Sequence, residues 1–274
     1  MKSKSRALMI LVLLTLAFLT IAYVLPVYVV VVTSLKTPAE ISARRYLIPS
    51  TDLQIENFVT SFELILPSLL NSAIIGFSVT FLCLLVGGLG AYYLARSRST
   101  FARVLFILVG IAVYLPYQVV LIPLVQIVAE TGLALTHWGL ILSYLILNVP
   151  LASVLLGTFF LAVPRELEEA AEVDGASKIQ IFFRVVIPVA MPAYASTAII
   201  IFTQVWNEFL LALTLATPRT TTIQIKLAEI KGSFVAHYEL QMAAALITLI
   251  VPLVFFLALG QYFIRGILAG ALKG

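Results

Sequence analysis

Residues 165–188 read RELEEAAEVDGASKIQIFFRVVIP, a polar insert between two long apolar runs. Five acids, Glu166, Glu168, Glu169, Glu172 and Asp174, fall within nine positions of it. A connector between two membrane spans needs neither this length nor this order of residues. Pro164 suits the first turn of a helix, where a missing N–H costs nothing. Glu166, Glu168 and Glu169 then sit against the positive end of that helix. Ala170 and Ala171 keep it slim enough for a partner to enclose. Asp174-Gly175 is a stop signal, since glycine takes up the left-handed conformation that ends helices. A second helical stretch, 176–186, carries Ile179, Phe182 and Phe183, and Pro188 marks the start of the next span. The insert therefore reads as helix, sharp turn, helix at a membrane surface. An amphipathic helix resting on lipid headgroups is the competing reading. Such helices carry lysine and arginine on their polar face, whereas this one opens with acids.

The apolar runs on either side set the class. The 274 residues are 62% hydrophobic and 11% charged, with a mean hydropathy of +1.10. A soluble domain of this size carries about a quarter charged residues. Lipid must therefore solvate most of this chain. Six stretches reach the roughly 20 residues that a bilayer requires, near 7–33, 69–95, 104–128, 138–162, 189–213 and 241–264. They are long, continuous and without the alternation of barrel strands, so the fold class is an all-α integral membrane protein. Lys2, Lys4 and Arg6 before an apolar run imitate a signal peptide. The run continues through Val32 without a convincing cleavage site, so a retained first span is expected, bent at Pro26. Gly87, Ala91 and Ala95, at four-residue spacing, give a narrow face for close helix approach. No repeat or soluble domain interrupts the chain, which reads as one membrane domain over 1–274, with segment 164–188 outside the spans.

Charge placement orients these spans. With the N-terminus inside, the inner segments hold eleven of the 17 Lys and Arg residues. Arg96, Arg98 and Arg103 crowd one short loop without an acid. By the positive-inside rule both termini and the insert between spans four and five face the cytoplasm. The lone Cys83, in an apolar run, excludes a disulfide framework or thiolate cluster. His137 and His237 fall in predicted outer loops and read as solvated residues. No metal site is expected.

The order Glu169-Ala170-Ala171, Gly175, Val185, Ile187-Pro188 resembles the EAA signature of permease subunits in binding-protein-dependent ABC importers. That signature usually ends I-x-L-P, so Val185 and Ile187 are mild departures. Thr33-Ser34-Leu35-Lys36, Asn71-Ser72, Tyr93-Leu94-Ala95-Arg96, Trp206-Asn207-Glu208-Phe209 and QYFIRGILAGALKG (261–274) are similar to the MalG-type carbohydrate branch along the whole chain. The resemblance implies a coupling helix that docks on an ATPase, with Glu168, Glu169, Ala170, Ala171, Asp174, Gly175 and Pro188 as coupling residues. It also implies a tail, Gly270, Lys273 and Gly274, that reaches between the ATPase subunits. The implied partners are a homologous second permease, two cytoplasmic ATPase subunits and an extracytoplasmic solute-binding protein. The implied setting is a prokaryotic cytoplasmic (inner) membrane, and the implied solute a sugar. No G-x-x-x-x-G-K-[ST] occurs, so ATP and Mg would be bound by the partner subunits and this chain is not itself an enzyme.

Charged groups in spans cost about 2.5–3.5 kcal/mol on insertion scales, so those retained usually face protein or a watery cavity. Glu208, with Asn207 and Trp206, offers the carboxylate, amide and aromatic face that sugars bind. An interhelical clamp is the competing role. Tyr114, Gln118 and Gln126, four and eight residues apart, would share one face of the third span. Asn148 and Gln204 read as interhelical hydrogen-bonding groups. An importer of a polyol or glycerol phosphate, with Arg44 and Arg45 outside, is the nearest alternative. An ion-coupled carrier would be expected to show buried acid-base relays in several spans, and only one convincing intramembrane carboxylate is present. The charge asymmetry makes a first prediction. A reporter fused after Gly274 is expected to be active in the cytoplasm, and one fused near His237 outside. A C-terminus outside would remove the docking argument too.

Overall fold

The computed structural model describes residues 2–232 and 237–271. In chain order its helices are α1 (Lys2–Ser34), α2 (Pro38–Ser42), α3 (Glu56–Arg96), α4 (Thr100–Ala112), α5 (Tyr117–Glu130) and α6 (His137–Ala162). There follow α7 (Glu166–Val173), α8 (Lys178–Val189), α9 (Met191–Asn207), α10 (Leu210–Leu215), α11 (Ile223–Lys231) and α12 (Tyr238–Ala271). Among the described residues four helices are long and apolar enough to cross a membrane, or six with the bent pairs α4–α5 and α8–α9 each taken as one span. The fold is all-α, as the apolar pattern implies.

The spans differ from their expected outlines where backbone continuity departs from hydropathy. The second starts at Glu56 rather than 69 and is 41 residues long. The third, expected over 104–128, breaks at 113–116 and turns by 102°. Pro116 lacks an N–H and disfavours helix at the residue before it. The fifth, expected over 189–213, turns by 79° between Val189 and Met191, and breaks again at Glu208-Phe209. Pro192 enters α9 in its first turn. By contrast α1 runs through Pro26 as one helix.

Residue contacts divide the chain into two units. The first comprises Met1–Leu66 with Lys226–Ile250. Here the loop after α1 is organised around Lys36, which is fully buried. Its ammonium donates to the backbone carbonyls of Arg45 and Ile48. Thr37 and Glu40 form a capping box at the start of α2. The Thr37 amide, helped by the Ser50 and Thr37 hydroxyls and by nearby Lys36, holds the Glu40 carboxyl below its usual range. Those bonds are complete at neutral pH and weaken in acid, as the pH falls through that lowered pKa. Asn57 Nδ2 donates to the Ser34 and Lys36 carbonyls at 3.0 Å each. Elsewhere in this unit Ser61 Oγ donates to the Leu240 carbonyl at 2.8 Å. His237, expected to be merely solvated, pairs through Nδ1 with buried Glu239 at 3.0 Å.

The second unit comprises Pro67–Ile225 with Val251–Gly274. One of its cores joins Ile75, Val79 and Cys83 of α3 to Leu140 and Tyr144 of α6 and Ile201 and Val205 of α9. The other joins Ala91 and Ala95 to Leu156, Phe160, Phe182 and Val186. The stripe Gly87, Ala91, Ala95 does face a neighbouring helix. A methyl group added at Gly87 would lie 3.0 Å from Ala152 Cβ. One added at Gly157 would lie 2.6 Å from the Phe106 ring and 3.5 Å from Ala91 Cβ. Among the described residues π turns interrupt regular helix at Cys83–Gly87 in α3 and Phe182–Val186 in α8. His137 opens α6 and hydrogen-bonds Asn71 at 2.9 Å, which corrects its reading as a solvated loop residue. Asn71 in turn donates to the carbonyls of Arg219 and Thr221.

This packing makes a comparison within the second unit. Gly157→Ala is expected to lower thermal stability by about 1–3 kcal/mol, because overpacking forces a neighbour to move. Gly90→Ala, with open space around it, is expected to be neutral or slightly stabilising. Unfolding midpoints in detergent for the two variants test this, and equal loss in both would contradict the close approach.

Candidate functional site

The insert folds as α7, a turn and α8. Its acidic first turn, Glu166, Glu168 and Glu169, lies at the positive helix end, where Arg165 provides no side-chain cap. Pro164 precedes this helix by two residues rather than occupying its first turn, because α7 starts at Glu166. The far end closes with Gly175 at φ +81°. The Ala176 amide bonds the Ala171 carbonyl and the Gly175 amide bonds the Glu172 carbonyl, both at 3.0 Å. This pair of bonds is a Schellman motif. Ser177 and Gln180 then form a capping box that starts α8. Three successive local devices thus fix the hairpin of helices with little help from elsewhere.

One side of the insert is anchored. Ile181, Phe182 and Val186 are buried, and Phe182 packs against Tyr92 and Phe160 with ring centres 5.0 and 6.3 Å away. Glu168 is anchored too. Its carboxylate accepts from Tyr92 Oη at 2.6 Å and Arg96 Nε at 2.7 Å, and Arg96 also donates to the Val163 carbonyl at 3.1 Å. Glu168 was expected among the residues offered to a partner; its oxygens are instead committed to the end of α3. The opposite side is free. No residue of α7 is buried, and Glu169, Ala170, Asp174 and Pro188 are exposed while Ala171 is half-buried. Val173 is 88% exposed and Ile179 and Phe183 are exposed beside it. A cleft of about 740 Å3 runs between α3 and this hairpin, lined by Tyr93, Arg96, Glu169, Glu172, Lys178 and Phe183 among others. Of the tail, Gly270 lies in α12, and Lys273 and Gly274 lie outside the described residues.

A second cavity, about 700 Å3, opens at the breaks of the bent helices. Its polar lining is Tyr114, Tyr117, Gln118, Tyr144, Asn148, Gln204, Asn207 and Glu208. Among the described residues, no lysine, arginine or histidine lines it. The backbone explains the grouping. Glu208 sits between α9 and α10, so its side chain caps the shorter helix. Its two oxygens accept from the Leu211 and Ala212 amides at 2.8 and 3.1 Å. Tyr117 and Tyr144 hydroxyls donate to the same carboxylate at 3.0 and 2.6 Å. Four donors, two at a helix N-terminus, compensate a carboxylate at this depth. Asn207 is exposed; its Nδ2 donates to the Thr203 carbonyl, and Gln224 reaches its Oδ1 at 3.4 Å.

The expected groupings change in two places. Tyr114 lies in the break between α4 and α5, so it shares no helix face with Gln118 and Gln126; the cavity, not the helix, brings Tyr114 and Gln118 together. Gln126 is not among the lining residues. Trp206 is 3% exposed, stacks on Phe202 with ring centres 5.4 Å apart, and is absent from the lining. Its neighbours in sequence face the cavity while its indole faces the core. Tyr117 and Tyr144 were missed, and an aromatic in an apolar run carries no signal that its hydroxyl meets a carboxylate. Asn148 is buried and donates to the Tyr144 carbonyl four residues earlier.

A helical membrane chain with a polar cavity at its helix breaks, and a short acidic helix held out beside its spans, has the layout of a transport permease. The chain belongs to the family of binding-protein-dependent transport system inner membrane components, whose profile matches residues 84–268. It is 33% identical to the glucose import system permease protein GlcU of Saccharolobus solfataricus, over 87% of this chain and 86% of that one. It is also 33% identical to the melibiose/raffinose/stachyose import permease protein MelC of Bacillus subtilis, over 90% of each. Its fold matches a chain from the crystal structure of a bacterial ABC transporter involved in the import of the acidic polysaccharide alginate. That match has a TM-score of 0.80, covers 95% and 97% of the two chains, and has 20% sequence identity.

The cavity geometry separates two neighbouring residues. Glu208→Gln replaces an oxygen by an amide nitrogen facing donors, so a loss of about 1–3 kcal/mol in stability is expected. Asn207→Ala is expected to leave the unfolding free energy within about 0.5 kcal/mol of the parent, as exposed substitutions do, while altering the concentration dependence of transport. Parallel thermal unfolding and vesicle uptake assays test both. Normal stability in Glu208→Gln would mean the four bonds do not hold this corner together.

Proposed function

We propose that this chain is a permease subunit of an ATP-driven ABC importer that moves a sugar across the cytoplasmic membrane of a prokaryote by alternating access. The observation that carries this reading is the exposed presentation of α7, with one side bonded to α3 and the other free. An ATPase surface gripping Glu169, Ala170 and Gly175 would move α7 as a unit. The Arg96–Glu168 pair and the Phe182 packing would pass that displacement to α3 and α8. The partners proposed are a homologous permease, two cytoplasmic ATPase subunits that bind ATP and Mg, and an extracytoplasmic solute-binding protein. ATP closes the ATPase dimer and opens the cavity outward, and hydrolysis returns it inward. The charge asymmetry of the loops supports cytoplasmic termini and a cytoplasmic α7.

Sugar is favoured as solute on two grounds. The relatives GlcU and MelC carry sugar import in their names, and they align over most of this chain. The cavity offers amides, hydroxyls and aromatic rings, and among the described residues no cation to meet a phosphate. A glycerol phosphate would lack the charge-assisted partners that anions require, which favours an uncharged polyhydroxylated solute. Exposed Arg44 and Arg45 lie outside the cavity lining.

The docking assignment is tested at Gly175. A Cβ there meets no atom of this chain within 4 Å, so the cost of Gly175→Val is the left-handed backbone, ~1–2 kcal/mol. Membrane insertion should be retained while ATPase association and solute-stimulated ATP hydrolysis fall. Glu169→Lys should do the same, whereas a helix resting on anionic headgroups would bind more tightly with the added charge. Arg96→Gln should leave association intact but uncouple ATP hydrolysis from uptake. Reconstitution with measured association, hydrolysis and uptake separates these results, and wild-type coupling in Gly175→Val would sink the assignment.

A further inference from the structure

The loop between α1 and α3 belongs to neither the docking hairpin nor the cavity, yet it is tightly built. Lys36 is enclosed by carbonyls of that loop, Glu40 ties its start to Ser50 at 3.0 Å, and the Gln54 amide bonds the Leu35 carbonyl at 3.0 Å. Ile41 turns inward, but the apolar side chains after Arg45 are presented outward. Tyr46, Leu47, Ile48, Leu53 and Ile55 are all exposed, Ile48 at 64% and Ile55 at 67%.

The direction of the loop explains why. Tyr28 Oη donates to the Leu47 carbonyl at 2.9 Å. Tyr28 lies six residues before the end of α1, which at about 1.5 Å per residue is roughly 9 Å back along the helix. The loop therefore does not rise away from the end of the span; it folds down beside it. At that level Val24, Leu25, Val27 and Val31 of α1 are exposed as well. The exposed loop side chains continue the surface of a helix whose apolar stretch is 0% buried. Arg44 and Arg45, both exposed, precede the apolar run. Tyrosine and aliphatic side chains beside a pair of arginines match the chemistry of a headgroup layer above acyl chains.

We propose that residues 46–55 form an interfacial wedge, seated in the lipid leaflet at the Ser34 end of α1, and that Lys36 is the positioning residue that holds it there. The buried ammonium replaces a missing side-chain core: it gathers the carbonyls of Arg45 and Ile48, so that the side chains between them point into lipid. This assignment is independent of what solute the chain carries and of which side of the membrane the loop occupies.

The test uses the full chain, assembled in bilayer vesicles, in a Cys83→Ser background with spin labels at Ile48→Cys, Leu53→Cys or Ser42→Cys. Labels at 48 and 53 are expected to be several-fold more accessible to oxygen than to a water-soluble nickel complex, at a depth of ~5–10 Å in the headgroup–acyl boundary. The label at 42 should show the reverse. Adding Lys36→Met should raise nickel access at 48 several-fold, because the loop comes loose. Nickel access at 48 equal to that at 42 would overturn the proposal, as would shielding from both reagents, which means a protein covers the loop. Unmodified protein gives a second measurement that no folding defect can obscure. A photoactivated lipid carrying its diazirine near the headgroup should leave adducts within 46–55. Adducts on α1 alone would also overturn the assignment.

Discussion

A membrane helix that stops within the bilayer must find partners for the backbone groups it leaves open, and Glu208 meets that demand for the second unit. Its carboxylate closes the N-terminus of α10 and gathers two tyrosine hydroxyls from α5 and α6. Hydrocarbon offers no substitute for these bonds, and each unsatisfied group there costs several kcal/mol, of order the full desolvation penalty. The break, the cavity and the position of Asn207 follow from this one arrangement. Irregular backbone at membrane depth is tolerated where it lines a cavity, and the 700 Å3 space is where that condition is met.

The insert obeys a different economy. Its shape is set locally, by an acidic first turn, a left-handed glycine and a capping box, so it forms without a deep core. Its attachment is set by few contacts of long sequence separation: Arg96 and Tyr92 on Glu168, and an aromatic cluster around Phe182. Local order with sparse attachment lets a segment move as a body. A loosely folded loop would absorb a push, and a deeply packed one would resist it.

The six apolar stretches and the helix–turn–helix of the insert were legible in the sequence, because transfer energy and turn chemistry are local quantities. Hydropathy placed the second span 13 positions late, since Glu56 and Glu63 lower it without interrupting backbone bonding. The stretches 104–128 and 189–213 read as single spans, the first with a kink at Pro116 and the second with none, because hydropathy does not register how far a break at Pro116 or Pro192 turns the chain. Trp206, Asn207 and Glu208 looked like one cluster in sequence, yet successive helical residues point about 100° apart, and the indole went to the core. Glu168 looked like its neighbour Glu169. Only the partners 72 and 76 residues away distinguish them.

The π turn at Cys83–Gly87 has a consequence for phase. Ile75, Val79, Cys83, Gly87, Ala91 and Ala95 are all buried and spaced by four. At 3.6 residues per turn each such step drifts by about 40°, so the stripe would wind roughly 200° around a regular helix between Ile75 and Ala95. A π turn holds one extra residue and returns about 100° of that drift at its midpoint. The helix thus keeps one line of small and aliphatic side chains turned inward over a length that its own pitch would not allow. A regular helix of the same sequence, without the π turn, would carry the same side chains and hydropathy, yet aim Ala91 and Ala95 about 100° away from α6.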